Sequence, residues 1–127
     1  MNEKNKPHDH LKTPFRAYKG DNPYIFVSYA HVDANRVFPE IVRFHNQGYD
    51  LWYDQGISPG SEWPEEIEEA LEKSSLFVVF LSSHAVESRN VRNEINFALK
   101  RNKPFIAIFL EETDLKYVLE LSMGSIQ

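Results

Sequence analysis

The chain has 127 residues, enough to bury a core, and its 42% apolar and 13% aromatic content excludes a disordered polypeptide. Its net charge of -5 is uneven: residues 1–20 hold five Lys/Arg against Glu3 and Asp9, which leaves -8 for residues 21–127 and argues against nucleic acid as a partner. There is no cysteine for a disulfide framework, a thiolate nucleophile or a Cys-based zinc site, and no apolar run of membrane-spanning length or secretory h-region, which together fit a cytoplasmic protein without a membrane partner.

Pro7, Pro14 and scattered charge mark residues 1–22 as a flexible N-terminal arm, ordered only near its end. Residues 24–29 (YIFVSY) form a β-branched and aromatic run of strand length. Val37, Phe38, Ile41, Val42 and Phe44 then recur at helical spacing. Pro39 suits only a first turn, so the regular helix is expected to begin near Phe38. Gly48 closes that helix, and LWYD (51–54) is a short strand with Trp52 in the core. QGISPGSEW (55–63) is a loop. Pro64 and the acids Glu65 and Glu66 open the next helix, and EEIEEALEK reads as its solvated face around an Ile67/Ala70/Leu71 stripe.

LFVVFL (76–81) shows no alternation, as in a strand buried on both faces. Ser88 or Asn90 caps the following helix, whose stripe is Val91, Ile95, Ala98 and Leu99. PFIAIFL (104–110) is a second continuous apolar strand. A short helix is expected near Asp114–Leu119, with the start of a further strand behind it. Strands alternating with helices predict an α/β fold with a parallel sheet covered on both faces. Right-handed crossovers put every strand's carboxyl end at one edge, so functional residues should lie just after Tyr29, Asp54, Leu81 and Leu110.

Several uses of such a sheet are excluded by what is missing. The stretch after the first strand reads AHVDAN, without the glycines of a phosphate-cradling or dinucleotide loop. The third strand runs into Ser82 and Ser83 rather than a phosphoaccepting Asp, and neither serine sits on a Gly-flanked nucleophile elbow. His8, Asp9 and His10 read as a solvated accident of the arm, so no metal is expected.

IFVSYAHVD, GYDLWYDQGISPG with the following SEW, and FLS with the later Ser88, Asn90, Val91 and Glu94 resemble the successive signature boxes of a bacterial Toll/interleukin-1 receptor (TIR) domain. The resemblance covers about Tyr24–Leu121. It implies a flavodoxin-like, parallel five-stranded sheet over residues 23–127. The chain ends at MGSIQ, short of the last strand and helix such domains carry, which points to the front part of a longer multidomain protein.

Many bacterial relatives cleave NAD+ at the nicotinamide–ribose bond, and some cyclise the ADP-ribose. Their catalytic Glu lies in a pattern close to S-x-W/N-C-x-x-E, which here runs from Ser88 to Glu94. The resemblance therefore implies catalysis by Glu94 and substrate contacts from Tyr29, Ala30, His31, Trp63, Ser82 and Asn90. NAD+ would be the substrate, with no separate cofactor. It also implies self-association through a loop formed by Gln55, Gly56, Ile57, Ser58, Pro59 and Gly60, and a role in bacterial immune signalling or antiphage defence. Asn90 and Val91 stand where many relatives have Trp and Cys, and Ala30 cannot meet a phosphate.

The chemistry can be stated from the residues alone. Departure of a cationic nicotinamide leaves an oxocarbenium-like sugar, which one well-placed carboxylate can stabilise without a general acid. At about 100° per residue, Glu94 lies roughly 85° from the centre of its helix's apolar stripe, on the rim of the buried face. A rim acid in a salt bridge with Arg89 or Arg101 is the plainer reading of that position. Two other functions stay open: a non-enzymatic TIR–TIR adaptor or host-signalling interference module, and a flavin-type binding module that no residue favours.

Overall fold

The order of elements follows the alternation of apolar runs and amphipathic stretches. The computed structural model describes residues 13–55 and 65–111. Strand β1 (Ile25–Ser28) leads through a 3-10 turn (His31–Asp33) into helix α1 (Ala34–Asn46) and strand β2 (Leu51–Tyr53). Helix α2 (Glu65–Lys73), strand β3 (Leu76–Leu81), helices α3 (Ser83–Glu87) and α4 (Arg89–Lys100), and strand β4 (Phe105–Phe109) follow. All pairs are parallel, in the order β2-β1-β3-β4. The expected fifth strand and the helix near Asp114–Leu119 fall in residues 112–127, outside the described residues.

The sheet is held in register by rings as well as by its backbone ladder. Phe26 is aligned with Trp52 on one side and Phe77 on the other, and Phe77 with Phe105. Ring centroids along this row are 5.1, 5.8 and 5.2 Å apart, within the range of favourable aromatic pairs. β3 is buried from Phe77 to Leu81, as its unbroken apolar run requires. β4, the outer strand among the described residues, leaves Ile106 and Phe109 exposed.

Two boundaries differ from expectation. α1 begins at Ala34, and Pro39 lies inside it. Pro39 removes one bond, to the carbonyl of Asn35. Both residues are exposed, so that carbonyl can turn to water, while Val37 and Ile41 bury the opposite face. Two helices, not one, follow β3. Ser82 caps α3 by accepting from the Ala85 amide (3.0 Å), and Ser88 caps α4 by accepting from the Val91 amide (3.2 Å). Ser88→Ala should cost about 1 kcal/mol, read as a lower urea midpoint with an unchanged slope. Gly48 ends α1 at φ +99°, and no atom of a described residue lies within 4 Å of where a Cβ would stand, so backbone conformation demands the glycine there.

The described part of the N-terminal arm is packed rather than free. Residues 13–18 run beside β2: the Tyr18 amide donates to the Leu51 carbonyl (2.9 Å), and Ala17 is buried in the core. Phe15 stacks on His45 and meets the edge of Tyr53, whose hydroxyl donates to the Phe15 carbonyl. The apolar residues at 15 and 17 supply what a solvated arm would lack. Among the described residues, no helix is long and apolar enough to cross a membrane.

Candidate active site

The chain leaves β1 toward β2 on one side and, after β2, crosses back over β1 to reach β3 on the other. The carboxyl ends of β1 and β3 therefore flank a point where the strand order reverses, the usual place for a crevice in an open α/β sheet. A cavity of about 560 Å³ lies there. Val27 and the Tyr29–Val32 loop form one wall, Asp54 at the end of β2 closes a second, and Ser83, His84, Glu87, Ser88, Asn90 and Glu94 from α3 and α4 form the third.

Glu94 is only 6% exposed and stands on the buried face of α4 with Val91, Ile95 and Ala98, not on its rim. The apolar stripe misplaced that face by about 35°, because the buried acid was not counted and the half-buried Leu99 was. Neither expected partner holds it: Arg101 pairs with Glu72 (2.7 Å) and lies over Phe97, and no ion pair joins Arg89 to Glu94. Instead the Ser28 hydroxyl donates to Glu94 Oε1 at 2.5 Å from the neighbouring strand. Burial pushes the Glu94 carboxyl up to about 8, Asp54 adds to the rise, and the Ser28 hydrogen bond opposes it. At neutral pH this acid is thus held mainly in its neutral form.

Asp54 is tied to the first loop at two atoms. The Tyr29 hydroxyl donates to its carbonyl (2.8 Å), and His31 Nε2 lies 3.2 Å from its carboxylate. Burial drives the Tyr29 phenol far above its ordinary range, so it remains a donor. Beneath the loop, Asp33 is 2% exposed and accepts from the Ser82 hydroxyl and from Arg36 (3.0 Å). Arg36 also reaches Glu111, which accepts from the Ser83 amide (2.9 Å). These contacts hold the segments after β1, β3 and β4 together.

Tyr29, Ala30, His31, Asn90 and Glu94 are therefore brought to one cavity. Ser82 is not among its lining residues: it is fully buried, its hydroxyl given to Asp33 and to the α3 cap. Trp63 and the loop positions Gly56, Ile57, Ser58, Pro59 and Gly60 lie outside the described residues. Gln55 does not reach the cavity; its carbonyl accepts from the Ala17 amide (2.6 Å) and its amide donates to Thr13 (3.3 Å). Asp54, His84 and Glu87 were not singled out from the sequence, although Asp54 stands at a strand end on the expected edge and the other two lie on α3, which follows the end of β3. Among the described residues, no group of three His, Asp or Glu could hold a metal.

A family model described as the TIR domain matches residues 25–127. No curated protein matches the chain. Among solved structures, the chain is similar to the TIR domains in the activated Roq1 resistosome directly recognizing the pathogen effector XopQ. The TM-score is 0.55 at 18% identity, covering 69% of this chain and 57% of that one. The chain thus spans less than two thirds of that relative, and at this identity the likeness bears on the fold alone.

Proposed function

We propose that this chain, which belongs to the TIR-domain family, is an NAD+ nucleosidase that works through Glu94. The observation that carries the proposal is a buried carboxyl group opening on the crevice at the strand reversal, held by Ser28 and, among the described residues, facing no fixed cation. A pyridinium placed there meets an acid that ionises readily in its presence. The C1′–N1 bond breaks with its electron pair leaving on the ring as neutral nicotinamide. The Glu94 carboxylate stabilises the positive sugar, and attack by water gives ADP-ribose, whereas attack by a group of the same molecule gives a cyclic product.

The reading has a pH signature. The acid must be ionised to act, so kcat/KM should rise with pH and level off near the free site's value of about 8. Under a cationic substrate the profile of kcat should lie at lower pH, because the bound charge favours the carboxylate.

Self-association is part of the proposal. The Roq1 TIR domains belong to an activated assembly, and the loop from Gln55 to Gly60 is the segment whose apolar Ile57 suits a contact between copies. A setting in bacterial defence signalling goes with the same reading. The test is nicotinamide release, followed by chromatography, at high protein concentration or with a crowding agent. Wild type should release nicotinamide, and Glu94→Ala should reduce the rate at least a hundredfold. Equal release from both would remove the assignment. No release at all, with partner binding lost in Ile57→Asp, would favour an adaptor instead.

A further inference from the structure

We infer that Ser28 is the positioning residue of this site: from behind the cavity wall its hydroxyl holds the Glu94 carboxyl in place whether that group carries its proton or not. The inference rests on the reading of Glu94 given above and adds the residue through which β1 prepares it.

Ser28 closes β1, whose other residues are Ile25, Phe26 and Val27, and it is aligned with Val79 of β3 between the two middle strands of the sheet. It is 1% exposed and is not among the residues lining the cavity, whereas Glu94 is. A hydroxyl so deep in an apolar strand costs free energy unless it is hydrogen-bonded. Its bond goes to Glu94 Oε1, on a helix 66 positions further along the chain. Ser28 thus touches the carboxyl and not the space a substrate would fill, which confines its influence to Glu94.

The molecule contains a second pair of the same kind, put to another use. Of the five polar side chains buried among the described residues, four form two serine–carboxyl pairs, Ser28 with Glu94 and Ser82 with Asp33. Asp33 also accepts from Arg36 and does not line the cavity, so its pair anchors loops. Glu94 opens on the cavity, and Ser28 is the described side chain that bonds it.

A hydroxyl suits this task because it can turn. It donates to a carboxylate and accepts from a carboxylic acid without either heavy atom moving, so Glu94 keeps its place as its proton leaves or returns. Donation to the charged form also favours ionisation, against the burial and the Asp54 charge that oppose it. Tyr29, His31, Asp54, His84 and Glu87 share the cavity with Glu94, on the first loop, the end of β2 and α3. β3 brings no titratable group to α4, and Glu72 of α2 is paired with Arg101 at the helix's other end. All of these remain when Ser28 is replaced, so a change in its variants reports the hydroxyl.

The experiment follows the Glu94 side-chain carboxyl by 13C NMR in the full chain as pH is raised, with Glu94→Gln to assign the signal. Nicotinamide release from NAD+ is measured under assembling conditions over the same range. In Ser28→Ala the Glu94 midpoint should rise by about one pH unit, since a hydrogen bond to a charged group is worth roughly that much. Release at pH 7 should fall about tenfold and return to within about twofold of wild type by pH 9.5. Ser28→Cys, which keeps the shape with a weaker donor, should lie between the two on both measures. A side chain that only filled space would lower release by one factor at every pH. If wild type releases nicotinamide but neither variant moves the midpoint, or the loss of release is the same at every pH, the inference is overturned and the nucleosidase reading stands. A raised midpoint with no release from any of the proteins keeps Ser28 as the residue that holds Glu94 and removes the nucleosidase reading. An unmoved midpoint with no release overturns both.

Discussion

Glu94→Gln should be more stable than the wild type above pH 8 even as it loses nicotinamide release. The folded chain holds the Glu94 proton up to about pH 8, whereas an unfolded glutamate gives it up near its model value of 4.5. A carboxyl whose value is raised by folding contributes its full stability below pH 4.5 and loses it as the pH climbs to 8. At about 1.4 kcal/mol per pH unit, that loss is on the order of 5 kcal/mol across the window. Glutamine keeps the shape and can still accept from Ser28, but it has no proton to lose.

Thermal or urea melts of both proteins at pH 5 and pH 8.5 give the measurement. The two should lie close together at pH 5. At pH 8.5 the variant should melt on the order of 10 °C higher. Parallel curves at both pH values would show that Glu94 is not held as a neutral acid. Gain of stability together with loss of turnover is the signature of a residue kept for chemistry at the expense of the fold.

Asp33→Ala should cost about 2–3 kcal/mol, the largest loss expected from any single polar contact described above. The change takes the acceptor away from the Ser82 hydroxyl, which is fully buried, and removes one of the two partners of Arg36. Arg36 keeps Glu111 and is partly in water, so most of the cost comes from Ser82. Asp33→Asn, which retains an acceptor, should lose about half as much. A urea cycle with Ser82→Ala measures the coupling, expected at about 1 kcal/mol or more. Additive losses would mean that the two side chains do not depend on each other. Because the pair anchors the loop carrying Tyr29 and His31, turnover should fall with stability in Asp33→Ala, about tenfold by misplacement of that wall.

The strands were legible in the sequence because each is a short β-branched or aromatic run between turn residues, and β3 even announced its burial by lacking alternation. The edge that carries the cavity followed from right-handed crossovers alone. Much of what was hidden has one physical cause: contacts between residues far apart in the chain. Ser28 meets Glu94 across 66 positions and Asp33 meets Ser82 across 49, and no local period reports either pairing. A buried acid is also invisible to a stripe drawn only through apolar residues, which is why Glu94 was placed on the rim. Pro39 misled differently, since its rule holds for a buried helix interior but weakens where the freed carbonyl can reach water. The division between α3 and α4 was readable: Ser82 and Ser88 each stand three residues before the amide they cap.

The four aligned rings of Trp52, Phe26, Phe77 and Phe105 have a consequence for how the sheet avoids mistakes. Side chains alternate between the faces of a strand, so a slip of one residue would send a ring to the wrong side and a slip of two would leave it opposite a neighbour of another shape. For β1 and β3, which hold the middle of the row, either error breaks two contacts together rather than one. The row thus acts as a checksum on alignment, and Phe26 is the position where replacement by leucine should blur the register before it lowers the melting temperature.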